Sequence, residues 1–406
     1  MHKIIVIGGG ASGMMASYVA SKTENKVVLI EKNEKLGKKL YITGKGRCNL
    51  TNAVIPNEFL GNVISNPKFL YGSLSALSPF DTMSLFENNG LKLKTERGKR
   101  VFPESDKASD VTKTLEKMLK ENGVDIKICE TVKNILVKDG VITGVVTDKK
   151  EYSADSVVVC TGGLSYPLTG STGDGYTFAK KIGHSIVPPK SALVGIEVVG
   201  DTYKALQGLS LKNVNLTAKM GEKTLFSQFG EMLFTHFGVS GPIVLSCSSV
   251  INKYNLNELQ LYIDFKPALD FATLENRLVR EFQSENRKNL TSVIRSLLPK
   301  NLVEVFLKVA GVSGNRNCSE ITVEMRKKLI ETLKNFPLKP KKLRPIEEAI
   351  VTAGGVNVKE INPKTMESKI IKGLFFAGEV LDVDAFTGGF NIQIAFSTGY
   401  LAGLNA

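Results

Sequence analysis

The chain has 406 residues, of which 42% are hydrophobic and 23% are charged. These fractions are typical of a globular protein with two or three domains, and they exclude a disordered or fibrous chain. No apolar run is long enough to span a bilayer, and the N-terminus enters a strand without a cationic leader. We therefore expect a cytoplasmic protein that does not bind membranes.

Five cysteines are scattered singly along the chain, and none belongs to a C-x-x-C pair. This spacing argues against a disulfide framework, a zinc site and the dithiol chemistry of disulfide reductases, so we predict no bound metal. The net charge is +13, and residues 266–344 hold 17 basic against eight acidic residues. Such a segment is typical of a solvated, lysine-rich helical surface, and the alternative, an RNA-binding surface, lacks interleaved aromatic residues.

The N-terminus predicts a dinucleotide-binding unit. A short apolar strand, Ile4 to Ile7, precedes Gly8, Gly10 and Gly13 in G-x-G-x-x-G spacing. In this pattern the first glycine permits a tight turn, the second lets a pyrophosphate approach the backbone, and the third lets the following helix, Ala11 to Ser21, pack on the strand. The helix N-terminus offers N–H groups and a positive dipole end to phosphate.

Glu31 ends the second predicted strand, in the sequence VVLIEK. Its carboxylate can accept hydrogen bonds from both hydroxyls of an adenosine ribose, whereas its charge would repel a 2′-phosphate. The predicted ligand is therefore FAD or NAD, and not NADP.

Residues 1 to about 190 alternate predicted strands and helices, as an α/β domain does. A helix candidate at Ser109 to Asn122 is followed by two strands that turn at Asp139-Gly140, and then by a buried strand, Ser156 to Cys160. That strand ends in Thr161-Gly162-Gly163, small residues that let a chain pass close beneath a large cofactor.

Two insertions are predicted after residue 190. Alternating apolar residues predict a β-barrel or sandwich, which we assign to 191–270 plus 337–351. Helical periodicity over 271–336 predicts a small helical module inserted within the β domain.

The last fifty residues return to the first pattern. A buried strand, Leu374 to Ala377, leads to a turn at Gly378-Glu379, and Gly388-Gly389 opens an apolar helix that runs to the C-terminus. We therefore assign 1–190 plus 352–406 to one nucleotide-binding domain built from both chain ends. This arrangement favours FAD over NAD, because the longer FAD can reach a second helix N-terminus whose N–H groups face the flavin N1 and C2 carbonyl. Glu379 or Asp384 would suit the ribityl or pyrophosphate neighbourhood.

Five separated segments point to a family. They are GKKLYITGKGRCNLTN at 37–52, TGGLSYPLTGSTGDGYTFAKKIGH at 161–184, MLFTHFGVSGP at 232–242, VTAGGVNVKEI at 351–361 and GLFFAGEVLDVDAFTGGFNIQIAFSTG at 373–399. Together they resemble the bacterial BaiN/YhiN-like flavoproteins, also described as the aminoacetone oxidase family, over essentially the whole chain. The resemblance implies a glutathione-reductase-like FAD-binding domain with a β-barrel insert and a small helical insert.

The motifs and the resemblance together give a set of predicted FAD-binding residues. They are Gly8, Gly10, Ala11, Ser12, Gly13, Glu31, Lys32, Lys38, Lys39, Thr43, Gly44, Gly46, Arg47, Cys48, Asn49, Val132, Thr161, Gly162, Gly163, Gly378, Glu379, Asp384, Gly389, Phe390, Asn391 and Gln393. Arg47 is expected to neutralise phosphate, and Val132 to give the adenine a backbone contact. Cys48 is expected to pack against the cofactor without a covalent link, so FAD is predicted to be held non-covalently.

Candidates for substrate chemistry are few. His236 is the only histidine inside a family segment that does not look incidental, and it is a weak candidate for a catalytic residue, with a structural hydrogen bond as the competing interpretation. Tyr166, Asp174 and the pair Asn391 and Gln393 are other polar groups expected near the flavin face. None of them forms a triad or a metal cluster.

The sequence predicts an FAD-dependent oxidoreductase that transfers a hydride between flavin and a small or medium organic substrate. The resemblance implies two versions, oxidation of a primary amine such as aminoacetone or reduction of a conjugated enone in a bile-acid intermediate, and both stay open. No second G-x-G-x-x-G follows a strand, so NAD(P)H would dock transiently, and oxygen or a diffusible acceptor is the expected oxidant. The alternative is an RNA-binding or RNA-modifying flavoprotein that uses the basic helical insert. The oligomeric state is left open.

Overall fold

The structure of the protein is a computed structural model that describes residues 1–200 and 203–406. These residues divide into two compact units, Met1–Ala192 with Ile346–Ala406, and Leu193–Pro345. Each unit has its own hydrophobic core. Within the described ranges, no helix combines the length and the apolar character that crossing a bilayer requires.

The strands in the described ranges are β1 (Lys3–Ile7), β2 (Lys26–Ile30), β3 (Thr51–Asn52), β4 (Leu93–Glu96), β5 (Arg100–Pro103), β6 (Asp125–Lys127), β7 (Val132–Lys138), β8 (Val141–Thr147), β9 (Glu151–Ser153), β10 (Ser156–Val159), β11 (Ile186–Ala192), β12 (Ile196–Val198), β13 (Ser210–Met220), β14 (Lys223–Phe234), β15 (Gly238–Ser240), β16 (Leu259–Asp264), β17 (Phe336–Leu338), β18 (Pro340–Leu343), β19 (Val351–Val356) and β20 (Leu374–Phe376). The α-helices are α1 (Ala11–Ala20), α2 (Pro56–Leu60), α3 (Tyr71–Ala76), α4 (Pro79–Asn88), α5 (Ala108–Glu121), α6 (Asp174–Lys181), α7 (Pro242–Ile251), α8 (Phe271–Ser284), α9 (Leu290–Leu297), α10 (Lys300–Ala310), α11 (Val323–Lys334) and α12 (Phe390–Asn405).

The first unit is built on a parallel five-stranded sheet with the order β20-β10-β1-β2-β6. Strands β1, β2, β10 and β20 are short apolar runs that are buried almost throughout, as a parallel sheet covered on both faces requires. Ile4 lies opposite Ser156, and Val157 lies opposite Leu374. Strands from both ends of the chain therefore lie in one sheet.

Helices α1 and α12 pack at close range in this unit. A Cβ added at Gly399 would overlap the carbonyl oxygen of Ser12, and one added at Gly403 would overlap that of Ala16. Residues four apart lie on one face of a helix, so the two glycines form a strip along which the backbones meet. The C-terminal helix is thereby held against the helix that starts at the glycine loop.

Three smaller sheets belong to the same unit, with the orders β3-β5-β4, β7-β8-β9 and β11-β19. The β7–β8 hairpin turns at Asp139 and Gly140, which both adopt left-handed conformations at φ 51° and 76°. Two left-handed residues are what a type I′ hairpin turn needs, and an Asp-Gly pair supplies them.

The second unit contains an antiparallel seven-stranded sheet, in the order β17-β16-β13-β14-β15-β12-β18. Alternate residues of β16 are buried, as in a sheet with one face on a core. Its edge strands β17 and β18 carry Pro337 and Pro340, residues that edge strands tolerate, and Lys339 alone separates the two strands in the chain. Closure of this sheet into a barrel stays a prediction.

Helices α8 to α11 fall in the segment with helical periodicity and share one hydrophobic core with the sheet. Leu274 and Phe306 from the helices and Phe336 from the sheet are completely buried in it. The sequence does not predict helix α7, which starts at Pro242, because its residues are apolar all round and show no amphipathic period. The division into a separate β domain and helical module stays a prediction.

Candidate functional site

Three loops meet at one edge of the parallel sheet, after β1, β10 and β20. The carboxyl ends of parallel strands share an edge, and that edge is where α/β proteins bind nucleotides. A Cβ added at Gly8 would lie 2.6 Å from the carbonyl oxygen of Cys160, and one added at Gly378 would overlap Oγ of Ser12. The loops are therefore in direct contact, and they bring Thr161, Gly162 and Gly163 beside the glycine loop.

The three glycines of the first loop differ in their surroundings. Gly8 adopts a left-handed conformation at φ 103°, and a Cβ at Gly13 would overlap the carbonyl oxygen of Gly8. A Cβ at Gly10 would meet no atom of the described residues within 4 Å. Gly10 is also the N-cap of α1 and provides no side-chain cap. The helix therefore presents N–H groups next to open space, which fits the approach of a pyrophosphate.

Glu31 is 8% exposed and directs its carboxylate toward the glycine loop. Its Oε2 accepts a hydrogen bond from the backbone N of Gly9 at 2.7 Å, and its Oε1 accepts bonds from the backbone N and from Nδ2 of Asn33, both at 2.7 Å. A carboxylate offers about four acceptor positions. Three are taken, so the structure leaves room for one ribose hydroxyl at Oε2, and acceptance from both hydroxyls requires Asn33 to move.

The segment that leads into β7 lies against the end of β2. The backbone N of Glu130 donates to the carbonyl oxygen of Glu31 at 3.1 Å, and that of Cys129 donates to Asn33 at 3.0 Å. Val132 follows two residues later and is 6% exposed. Val132 is thus near the predicted ribose site, and its contact with adenine stays a prediction.

The loop around residue 45 forms a tight coil. Gly44, Lys45, Gly46 and Cys48 all adopt left-handed conformations, and the backbone N of Cys48 donates to the carbonyl oxygen of Thr43 at 3.0 Å. The hydroxyl of Thr43 donates to a backbone carbonyl within the same loop at 2.7 Å. The carbonyl oxygen and the hydroxyl of Thr43 therefore both form hydrogen bonds within the loop.

Arg47 is paired with protein carboxylates. Its Nε donates to Oδ1 of Asp106 at 2.7 Å, its guanidinium also bonds Glu96, and it stacks 4.1 Å from the ring centre of Phe102. A phosphate would have to compete with two carboxylates for this cation. The structure therefore gives no support to the predicted phosphate contact of Arg47.

Cys48 is completely buried. Burial raises the pKa of its thiol to about 12, so the reactive thiolate does not form at neutral pH. This favours the predicted packing role over a covalent flavin link.

Lys39 and Glu379 form a partly buried ion pair. Nζ of Lys39 lies 2.7 Å from Oε2 of Glu379 and donates to Oγ of Ser165 at 2.6 Å. Oε1 of Glu379 accepts from Oγ of Ser165 and from the backbone N of Thr352, both at 2.8 Å. Burial pushes the pKa of Glu379 upward, but Lys39 and the hydrogen-bond donors hold it below its ordinary value. The network ties the loop after β20 to those after β2 and β10.

The other predicted lysines have partners on the protein. Nζ of Lys32 lies 2.7 Å from Oδ2 of Asp174, in the first turn of α6, and Nζ of Lys38 lies 3.2 Å from Oε2 of Glu34. Tyr166 adopts a left-handed conformation at φ 53°. Roles for these residues in binding stay predictions.

Helix α12 begins directly over the segment 49–52. Gly389 is its N-cap, with φ 98° and no side-chain cap. A Cβ at Gly389 would overlap the carbonyl oxygen of Thr51 and lie 3.0 Å from Oδ1 of Asn49. The ring of Phe390 packs edge-on against Phe59, with ring centres 5.1 Å apart. The helix N-terminus is therefore fixed in place by close packing.

The carboxamides of Asn391 and Gln393 are used within the protein. Asn391 accepts from the backbone N of Ala385 at 2.9 Å and donates to its carbonyl oxygen at 2.8 Å. Gln393 is completely buried, accepts from Oγ1 of Thr51 at 2.5 Å and donates to Oγ1 of Thr82 at 2.8 Å. These contacts favour structural roles for both residues over contacts with flavin.

Asp384 is buried in the first unit, and its carbonyl oxygen accepts from the backbone N of Ile64 at 2.8 Å. His236 is exposed between β14 and β15, where its ring packs edge-on against Phe237. It belongs to the second unit, whereas all the predicted FAD-binding residues belong to the first. Its catalytic role stays a prediction.

Three buried oxygen atoms near these loops have no hydrogen-bond partner among the described residues: Oδ1 of Asn49, Oδ1 of Asn52 and Oγ1 of Thr161. An unsatisfied buried polar atom costs about 1–3 kcal/mol, so these oxygens are positions that a ligand or a water molecule can satisfy. Asn52 was not predicted as a site residue. The only signal for it was its place at the end of the segment 37–52.

These features fit FAD. The open space at Gly10 suits its pyrophosphate, the remaining acceptor position of Glu31 suits its ribose, and the uncapped start of α12 with the unpartnered oxygens of Asn49 and Asn52 suits the polar edge of its ring system.

Comparisons with known proteins identify the family of the chain. The sequence model of the HI0933-like protein Rossmann domain matches residues 2–405. The chain belongs to the HI0933-like family. The predicted relationship to BaiN/YhiN-like flavoproteins is thereby confirmed, as are the Rossmann-type FAD-binding fold and the class of FAD-dependent oxidoreductase.

Several curated relatives match this HI0933-like protein over its whole length. A 3-dehydro-bile acid delta(4,6)-reductase of Clostridium scindens is 32% identical and is aligned over 99% of this chain and 98% of its own. Ribosomal RNA dihydrouridine synthases of Haemophilus influenzae and Escherichia coli are each 31% identical. They are aligned over 99% and 98% of this chain and over 97% and 96% of their own lengths.

Solved structures show the same fold at low sequence identity. A 3-ketosteroid delta1-dehydrogenase from Sterolibacterium denitrificans is 12% identical, covers 99% of both chains and has a TM-score of 0.53. The FrdA subunit of Escherichia coli quinol fumarate reductase is 16% identical, with 99% of this chain and 69% of that chain covered and a TM-score of 0.51. At these identities the likeness establishes the fold alone.

The HI0933-like protein also contains a Ser–His–Glu arrangement, with buried serine and histidine, outside the loops described above. Nδ1 of His184 lies 3.2 Å from Oε2 of Glu360, and its Nε2 lies 2.9 Å from Oγ of Ser368. Oγ of Ser368 already accepts from the backbone N of Ile370 and of Ile371, and the side chain is 7% exposed. The hydroxyl is therefore a structural link and not a nucleophile.

His184 predicts a pH dependence of stability. Burial lowers its pKa, despite the opposing effect of Glu360. Below about pH 6.5 the unfolded chain binds a proton that the folded protein rejects, so the free energy of unfolding falls by up to about 1.4 kcal/mol per pH unit. We expect His184→Gln to flatten this slope between pH 7.5 and 5.5 in denaturant unfolding. Equal slopes for wild type and His184→Gln contradict this prediction.

Proposed function

We propose that this protein is a FAD-dependent reductase that saturates a C=C bond conjugated to a carbonyl group. The name of the Clostridium scindens relative denotes reduction of a 3-oxo steroid with double bonds at positions 4 and 6. The name dihydrouridine synthase denotes saturation of a uracil C5=C6 bond, which is conjugated to the C4 carbonyl. Two different substrates of whole-length relatives thus share one reaction, in which hydride adds to a C=C bond conjugated to a carbonyl, at the β carbon of an enone or the δ carbon of a dienone. This shared chemistry carries the proposal and favours enone reduction over amine oxidation.

Residues of the first unit would hold the cofactor. When bound, FAD supplies the hydride-transfer chemistry. The start of α1 at Gly10 would hold the pyrophosphate, Glu31 would accept a hydrogen bond from the ribose, and the positive end of the α12 dipole would stabilise the negative charge that develops on the ring system on reduction. The buried, protonated thiol of Cys48 supports non-covalent binding.

We assign NAD(P)H as the transient reductant. Each turnover would oxidise one NAD(P)H to NAD(P)⁺ and add one hydride and one proton across the double bond. Since the chain has one G-x-G-x-x-G segment, NAD(P)H would dock and leave without a dinucleotide domain of its own. Oxygen is not needed for this cycle.

An anaerobic reduction and reoxidation experiment tests the proposal. The purified protein, saturated with FAD, is expected to lose its visible flavin absorbance on addition of NADH or NADPH. Addition of a 3-oxo steroid with a conjugated double bond should restore the absorbance of one oxidised flavin per molecule of steroid. The saturated 3-oxo steroid, as a matched control, restores none. Bleaching by aminoacetone, with no recovery on addition of the enone, would establish amine oxidation instead.

RNA uridine is a second candidate substrate, and the basic segment favours it. The exposed basic residues of 266–344 include Arg295, Lys300, Lys308, Lys327 and Lys328. Two whole-length relatives carry ribosomal RNA in their names. Unmodified ribosomal RNA incubated with the protein, FAD and NADPH would then gain about 2 Da per modified uridine, as measured by mass spectrometry of nucleosides. Unchanged RNA, together with loss of RNA binding at about 150 mM salt, rules this substrate out.

A further inference from the structure

Helix α12 presents hydrogen-bond donors at its N-terminus. The helix has 16 residues, and its N-cap Gly389 has no side chain that could accept from the first turn. The first N–H groups of a helix have no partner within it. The start of α12 therefore offers donors to a group placed above Gly388 and Gly389.

Asn52 places a buried acceptor beside these donors. The residue is 3% exposed, and its Nδ2 donates to the carbonyl oxygens of Gly98 at 3.1 Å and Gly388 at 2.9 Å. A flipped carboxamide would oppose its oxygen to both carbonyls, so these bonds fix its orientation. Its Oδ1 has no partner among the described residues.

Asn49 contributes a second acceptor at the same place. Its Oδ1 is buried without a partner in the described part of the chain, and it lies 3.0 Å from the position of a Cβ on Gly389. Both asparagines therefore lie at the start of the helix: Oδ1 of Asn49 is next to Gly389, and Nδ2 of Asn52 donates to the carbonyl oxygen of Gly388.

We infer that Asn49 and Asn52 position the flavin by accepting a hydrogen bond from N3–H of its pyrimidine ring. The edge of this ring has an N–H group between two carbonyl groups. That pattern is complementary to carboxamide acceptors flanked by helix N–H donors, and one N–H can be shared by two acceptors in a three-centre bond. The inference rests on the FAD site of the proposed function and assigns the two residues a role that selects the flavin ring over other ring systems.

Asn49→Leu tests the inference, because it removes an unpaired buried acceptor while keeping a side chain of similar size. The apo-protein is expected to unfold at the same or a higher temperature, since no hydrogen bond of the folded chain is lost. The Kd for FAD, measured by flavin fluorescence, is expected to rise about tenfold. The preference of wild type for FAD over 3-methyl-FAD, which lacks the N3–H, should fall at least about fivefold in this variant.

Asn122→Leu is the matched control, since Asn122 directly follows α5 and its Nδ2 donates to the carbonyl oxygen of Met118 in that helix; it is expected to keep the wild-type Kd for FAD. Asn52→Leu should weaken FAD binding as well, but it also removes two structural hydrogen bonds, so the decision rests on Asn49→Leu. Wild-type affinity and an unchanged preference against 3-methyl-FAD in Asn49→Leu would overturn the inference alone. Failure of the wild-type protein to bind FAD would overturn the proposed function with it.

Discussion

Gly10→Ala is expected to leave the fold intact and to weaken FAD binding at least about tenfold. The backbone of Gly10 is extended, at φ −80° and ψ −169°, and an added Cβ meets no atom of the described residues within 4 Å. The free energy of unfolding of the apo-protein should therefore change by less than about 0.5 kcal/mol. The methyl group would occupy the space through which the pyrophosphate approaches α1. Fluorescence titration with FAD and denaturant unfolding of the apo-protein measure the two effects separately.

Gly13→Ala is the matched variant with the opposite expectation. Its Cβ would overlap the carbonyl oxygen of Gly8, and neither atom can move without shifting β1 or α1. Alanine favours helices over glycine, so a loss of stability would come from this overlap and not from helix propensity. We expect the free energy of unfolding to fall by about 3 kcal/mol.

For Gly10→Ala, an unchanged affinity for FAD would show that the pyrophosphate does not pass this residue.

Gly399→Ala and Gly403→Ala are expected to separate α12 from α1. The added methyl groups would overlap the carbonyl oxygens of Ser12 and Ala16, and each substitution should lower the free energy of unfolding by about 1–3 kcal/mol. Because α1 begins at the glycine loop, the displacement should also raise the Kd for FAD. Thermal unfolding and FAD titration of the single and double variants measure both results.

Gly61→Ala is the control for this pair. Gly61 has φ −63°, and the nearest atom to its added Cβ lies at 3.4 Å, so the substitution is expected to be nearly neutral. If Gly399→Ala were as stable as Gly61→Ala, the close approach of α1 and α12 would not contribute to stability.

Much of the site was predictable where the chemistry is local in the chain. The glycine spacing, the strand before it and the helix after it are set by neighbouring residues, and the structure shows the steric role of each glycine. The turn at Asp139-Gly140 was likewise predictable, because two consecutive residues set the hairpin turn. The five family segments indicated which family the chain resembles and that its cofactor is a flavin.

Other site assignments made from the sequence did not include the distant residues that form hydrogen bonds with these side chains. Gln393 was expected at the flavin, yet its carboxamide oxygen accepts a hydrogen bond from Thr51, which lies 342 residues earlier in the chain. Arg47 was expected at phosphate, yet its guanidinium donates to Glu96 and Asp106, which lie 49 and 59 residues later in the chain. The spacing of residues along a sequence carries no information on such pairings.

The sequence by itself determined the family, the cofactor and the class of reaction, because the glycine spacing, an acidic residue after the second strand and the five family segments are properties of the chain. The tertiary structure decided which polar groups stay available to a ligand. A carboxamide in the core of a protein either finds an internal partner, as that of Gln393 does, or keeps an unpaired oxygen, as that of Asn52 does. That difference depends on packing between strands and helices from opposite ends of the chain, and it distinguishes a structural residue from a candidate for binding flavin.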